Sequence, residues 1–167
     1  MILAVDVDYK GNEACIAGVA FSSWSDSEAM SVYASTLSGI EEYVPGYFYR
    51  RELPCILALL REHELTPDVI VVDGFVYLDG YEEAGLGKRL YDELNGSVDI
   101  VGVAKKPFKG ISTEYELFRG DSKKPLYVTS EGIPVDHAKA SILSMHGKYR
   151  EPTLLKYADR VCRSWVC

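Results

Sequence analysis

The run Val69-Ile70-Val71-Val72-Asp73-Gly74 decides how this chain folds. Its first four residues are apolar and β-branched, with no polar alternation. That pattern belongs to a strand covered on both faces, as in the middle of a sheet with helices on either side. The strand stops at Asp73-Gly74, a turn pair. The pattern returns at Ile100–Ala104, which stops at Lys105-Lys106-Pro107, and at Ile2–Val7, which carries Asp6 at its end with Asp8 just beyond.

The flanking segments supply the rest. Ala14–Phe21 and Ala29–Leu37 read as two further strands joined through the Ser-rich turn SSWSDS, giving an opening three-stranded meander. From Tyr49 to His63 the period changes: Leu53, Ile56, Leu57 and Leu60 recur at helical spacing and make one apolar face. Pro54 falls early in that helix, where it is tolerated. Gly85–Leu94 reads as a second helix, Glu114–Arg119 with Leu126–Thr129 as a hairpin, and Val135–Lys148 as a third helix. A fourth follows Pro152 with Thr153 as its N-cap, and its apolar face is Leu154, Ala158, Val161, Cys162 and Trp165. The expected fold is α/β, a mixed central sheet flanked by helices, in one domain over residues 1–167.

Composition narrows the function. The 167 residues are 47% hydrophobic, enough for a core without staples. No apolar run is long enough to span a bilayer. The opening MILAVDVDY lacks a preceding basic region and is broken by aspartate, so it reads as a strand and not as a signal peptide. Cys15, Cys55, Cys162 and Cys167 form no CxxC pair, and His63, His137 and His146 have no metal-finger spacing. Reduced thiols and a cytoplasmic location are the expectation. The net charge of −7 argues against nucleic acid when taken whole. Its distribution argues otherwise: residues 1–104 hold 6 basic and 18 acidic side chains, and residues 105–167 hold 12 and 7. An acid-rich half beside a cation-rich half suits a protein that collects metal on one side and phosphates on the other.

Asp6, Asp73 and Lys105 each end a buried strand, and ligand sites of such sheets lie at the carboxyl ends of strands. Phosphodiester hydrolysis needs charge neutralisation and an activated water, which a divalent cation on a few carboxylates supplies. Glu52, in the first turn of the first helix, is a further candidate. A carboxylate after a strand equally serves to cap the next turn, and the residues alone leave both roles open.

Five segments now fall into order: VDVDY (Val5–Tyr9), YVPGYFYRRELP (Tyr43–Pro54), VVDG (Val71–Gly74), VGVAKKP (Val101–Pro107) and KYREPTLLKYADRV (Lys148–Val161). Together they resemble the endonuclease V family, in which a Tyr-x-Pro-Gly element precedes an Arg-Glu pair opening a helix. The resemblance implies an RNase H-like fold and Mg²⁺-dependent cleavage, with Mn²⁺ as a substitute, of a DNA or RNA strand near a deaminated purine, chiefly inosine. It implies that Asp6 and Asp73 hold the metal, that Glu52 holds it directly or through water, and that Lys105 approaches the water or the phosphate. Tyr43, Val44, Pro45 and Gly46 become the wedge that separates bases, and Lys106 a contact to nucleic acid.

The departures from that pattern are specific. The family continues its second acidic strand with Asp-Gly-His-Gly, whereas this chain reads DGFVYLDG over Asp73–Gly80 and has no histidine there. Asp79 stands where the second family histidine falls, and an acid there either binds metal or repels phosphate. Asp159 serves either as an auxiliary acid or as the partner of a basic neighbour on its own helix. Two other functions fit the same residues: a module that binds modified or branched strands and cuts them poorly, and an RNase H-like nuclease with another substrate.

Overall fold

The computed structural model describes residues 1–40 and 49–164. The wedge segment Tyr43–Gly46 and Trp165, expected on the apolar face of the fourth helix, therefore lie outside the described residues. Among the described residues seven strands form one sheet: β1 (Ile2–Lys10), β2 (Glu13–Phe21), β3 (Ser31–Ser38), β4 (Val69–Asp73), β5 (Asp99–Ala104), β6 (Glu116–Leu117) and β7 (Leu126–Glu131). Their spatial order is β3-β2-β1-β4-β5-β7-β6. The β1-β4-β5 centre is parallel and every other pairing is antiparallel, so the sheet is mixed. Four helices cover it: α1 (Tyr49–Glu62), α2 (Leu86–Glu93), α3 (Val135–Ser144) and α4 (Thr153–Arg163). Among the described residues no helix is long and apolar enough to cross a membrane.

The period-2 alternation of a strand sorts its side chains into two cores. Leu3 and Val5 of β1, Ile70 and Val72 of β4, and Ile100 of β5 pack with Ile56, Leu59 and Leu90 of α1 and α2. Ile2 and Ala4, Val71, and Val101 and Val103 turn the other way, onto Ala138, Ile142, Leu154 and Ala158 of α3 and α4. This is why the central strands lack polar alternation: neither face meets water. Truncating a fully buried residue such as Leu59 would cost roughly 2–5 kcal/mol.

Gly102 shows how closely the elements approach. A Cβ at that position of β5 would lie 2.6 Å from the Gly74 carbonyl oxygen and 2.9 Å from Thr129 Oγ1. The chain leaving Asp73 thus crosses directly over β5, held by Gly74 N–H donating to Val103 O at 3.0 Å and Val76 N–H donating to the buried Thr129 Oγ1 at 2.8 Å.

Three expectations need correction. The first hairpin strand shrinks to Glu116–Leu117, preceded by a 3-10 turn over Thr113–Tyr115. Helix α3 ends at Ser144 instead of Lys148. The carbonyls of Met145, Gly147, Tyr149 and Arg150 turn toward the buried Arg119 guanidinium, at 2.7, 3.0, 2.6 and 3.3 Å, and carbonyls so turned cannot continue a helical ladder. Thr153 is the first residue of α4 and not its cap; the cap position is Pro152, and the Thr153 hydroxyl pairs with His146 Nδ1 at 3.0 Å.

Candidate carboxylate site

Parallel register brings the strand-end acids together. Val5 is level with Val72, so Asp6 and Asp73 extend neighbouring strands by one step each. Asp6 shares the parity of Ala4, Asp73 that of Val71, and Lys105 that of Val103, so all three fall on the face covered by α4. They line one cavity with Glu151, Leu155 and Ala158. Glu52 approaches from α1 across the strand ends and shares a neighbouring recess with Asp73 and Lys105.

Helix α4 packs on β1 and β2 and adds a further acid. Oxygens of Asp6 and Asp159 and the sulfur of Cys162 all lie within 4.8 Å of one another. Asp159 also accepts a hydrogen bond from Arg163 Nε at 2.8 Å. The ion pair considered for Asp159 is therefore present, and its carboxylate also faces Asp6.

The electrostatics report crowding. Burial raises the Asp6 carboxyl to about 7, assisted by Asp73 and Asp159; its own Val7 amide and Lys105 pull the other way. Burial also raises Glu52 to about 8, followed by the charges of Asp73 and Asp6. Asp73 is raised by burial against the pull of Lys105, although its side chain keeps contact with solvent. Burial lowers the Lys105 ammonium value, but Asp73 and Glu151 more than offset this, and the net shift is upward. Lys105 Nζ lies 3.0 Å from Glu151 Oε1. Arg150, the residue before Glu151, donates to the Lys105 carbonyl and, at 2.7 Å, to that of Pro125. Consecutive residues thus grip the two ends of Lys105.

A set of carboxylates held above their usual range by burial, and then by one another, is short of positive charge. Hard oxygen donors of this kind fit a divalent cation such as Mg²⁺ or Mn²⁺. Burial, Asp6 and Asp159 together keep the Cys162 thiol protonated, and its hydrogen bonds to Asp159 O at 3.2 Å. The described cysteines, Cys15, Cys55 and Cys162, are buried.

The other sequence candidates lie elsewhere. Asp79 spends one carboxylate oxygen on the amides of Tyr81, Glu82 and Glu83, at 3.1, 2.8 and 2.9 Å, and those bonds hold its pKa down. It stabilises its own loop. Lys106 is exposed beside the recess of Glu52. Phe75, where the family carries histidine, lines that recess edge-to-face with Phe108, ring centres 6.4 Å apart. Glu151 is the site residue that sequence reasoning passed over. Its sequence signal is its place in the KYREPT run of the fifth segment, just before Pro152 and at the entry to the helix that carries Asp159.

The family model described as Endonuclease V matches residues 1–160. The chain belongs to the endonuclease V family. It is 28% identical to the endonuclease V of Streptomyces coelicolor over 184 aligned residues, covering 98% of this chain and 78% of that protein. The endonuclease V of Streptomyces avermitilis is 31% identical over 141 residues, 72% of this chain and 60% of that protein. The match to the Nocardia farcinica endonuclease V likewise spans 61% of the relative, so the chain covers about three-fifths of those two proteins. The crystal structure of the Streptomyces avermitilis endonuclease V superposes with a TM-score of 0.76 at 27% identity, over 97% of this chain and 79% of that one. The Ciona intestinalis endonuclease V shares the fold, with a TM-score of 0.79 at 18% identity over 97% and 83% of the two chains; that protein is bound to a 24mer DNA containing an inosine followed by a ribo-adenosine. This endonuclease V-family chain has the expected mixed sheet flanked by helices.

Proposed function

We propose that this chain is a divalent-metal-dependent phosphodiesterase that cuts a DNA or RNA strand near a deaminated purine, chiefly inosine. The observation that carries the reading is the convergence of Asp6, Asp73 and Asp159 on one face of the parallel strand ends, with Lys105 beside them and Glu52 above. Membership of the endonuclease V family and the inosine-containing DNA held by the Ciona relative support the substrate class.

Asp6, Asp73 and Asp159 would hold Mg²⁺ or Mn²⁺, with Glu52 joining directly or through water. The cation supplies charge neutralisation at the phosphate and lowers the pKa of water. The chain's own residues do the remaining work. Lys105 stays protonated, so it brings positive charge to a phosphate oxygen and does not act as a base. Burial raises Glu52 to about 8, and a bound cation would offset this and leave it ionised; it would then take a proton from the attacking water as that oxygen bonds to phosphorus, while the ester P–O bond breaks and the departing oxygen takes a proton from water. The recess between Phe75, Leu78 and Phe108 would take an extruded base against its rings. Tyr43–Gly46 would fill the gap left behind in the stack.

The test is cleavage of matched DNA and RNA oligonucleotides, with and without one inosine, in Mg²⁺, Mn²⁺ and EDTA. Cutting that requires the metal and prefers the inosine strand is the expected result. Cutting in EDTA, or none on any strand, would reject the proposal.

A further inference from the structure

A broad groove opens beside the carboxylate cavity and joins it at Glu151, which lines both. The aromatic recess joins the same cavity at different residues, Asp73 and Lys105. The groove is built by two loops pressed together. Arg119 is only 4% exposed, and its guanidinium donates to four main-chain carbonyls of residues 145–150. No ion pair to it is present among the described residues, so its positive charge is buried beneath the groove without a carboxylate. At Gly120, which has φ of +59°, any side chain would strike the Lys148 carbonyl, and this lets the loops meet.

What the staple displays is consistent in chemistry. Lys148, Arg150 and Lys156 line the groove, set against Asp121 and against Glu151, which Lys105 already engages. Among these cations the Tyr149 ring stands 65% exposed, with Lys148 Nζ 5.5 Å from its centre. Leu143, 54% exposed, adds an apolar wall. A cationic groove with an aromatic platform is the arrangement that holds single-stranded nucleic acid: phosphates follow the charge and a base stacks on the ring without regard to its identity. A paired base in a duplex has no free face to offer such a ring. An acidic peptide would satisfy the lysines and leave the ring unused.

We propose that this groove is the track for the single strand on one side of the scissile phosphate, with Tyr149 stacking a base and Lys148 and Lys156 holding phosphates. The inference rests on the nucleic-acid reading above, and it goes beyond that reading by assigning a surface and a residue for each interaction.

The experiment uses the full chain with Ca²⁺ in place of Mg²⁺ and a labelled single-stranded oligonucleotide carrying one inosine. Tyr149→Ala should weaken binding about tenfold on strands with and without inosine alike, and Tyr149→Trp should restore it. The Lys148→Ala/Lys156→Ala double variant should reduce the slope of log affinity against log salt by about 1.4, or ~0.7 for each phosphate that is no longer neutralised. Both changes fall on exposed side chains, so the melting temperature should hold. Unchanged affinity and slope in variants of a parent that binds would overturn the track while leaving the nucleic-acid reading intact. So would polyglutamate displacing the strand as well as unlabelled oligonucleotide does. A parent that binds no strand would sink the nucleic-acid reading itself, and the track with it.

Discussion

Lys105 and Glu151 face each other 3.0 Å apart at the wall of the carboxylate cavity, and each keeps about a third of its side chain in solvent (38% and 30%). A pair so exposed adds little to folding, roughly 0–1 kcal/mol. Its effect is to aim the ammonium. Glu151→Gln should therefore shift the melting temperature little and lower kcat about tenfold with KM nearly unchanged, since a misaligned lysine fails to meet the phosphate only in the transition state. Glu151→Asp should recover part of the rate. A raised KM with normal kcat would instead make Glu151 a binding residue.

Asp73→Asn and Asp159→Asn test the metal assignment. Each should lower cleavage by orders of magnitude and weaken Mn²⁺ binding, read by electron paramagnetic resonance, with the circular dichroism spectrum unaltered. Normal Mn²⁺ affinity in Asp159→Asn would confine that residue to its ion pair with Arg163.

Crowded acids predict a stability that falls as pH rises. The Asp6 carboxyl titrates from 3.8 unfolded to about 7 folded, raised by burial, then by Asp73 and Asp159. Below pH 3.8 both states hold the proton and nothing is lost. As pH climbs, the unfolded chain releases its proton first, so folding loses stability until pH passes about 7, beyond which the loss is complete. Asp6→Asn has no charge to bury. Its melting temperature relative to the parent in EDTA should rise from pH 4 to 7, the window set by that shift, and Mg²⁺ should raise the parent's melting temperature most at the upper end. A difference independent of pH would show that Asp6 is not strained by its neighbours.

Arg119→Leu leaves four carbonyls, one buried and three partly buried, short of a donor and should cost about 2–4 kcal/mol, seen in denaturant unfolding. Arg119→Lys keeps the charge but lacks the planar fork, so it should recover only part of the loss. Faster hydrogen exchange in residues 145–150 should accompany both.

The sheet was legible because its central strands are buried on both faces: VIVVD and IVGVA admit no amphipathic alternative, and the two strands come within a residue of where composition puts them. Strand parity then places Asp6, Asp73 and Lys105 on one face. The C-terminal part was less legible. Val135–Lys148 is helical in local pattern up to Gly147, whose φ of +116° no helix allows; the stop three residues earlier, at Ser144, accompanies the carbonyls that turn to the distant Arg119. Glu151 was missed for the same reason, since its partner Lys105 is 46 positions away by number. Asp159 was ambiguous because an acid four residues before an arginine looks like an ordinary helix pair, which it also is.

The order in which these acids occur along the chain bears on its own synthesis. Asp6, Glu52 and Asp73 lie early, whereas Glu151 and Asp159 come from the last loop and helix described. A nascent chain emerging from a ribosome can pair β1 with β4 and β4 with β5 while Lys105 still lacks its carboxylate and Asp6 its third acid. The centre is completed only when α4 leaves the exit tunnel and packs on β1 and β2. A chain assembled in that order gains its full set of acids only with its last described helix in place.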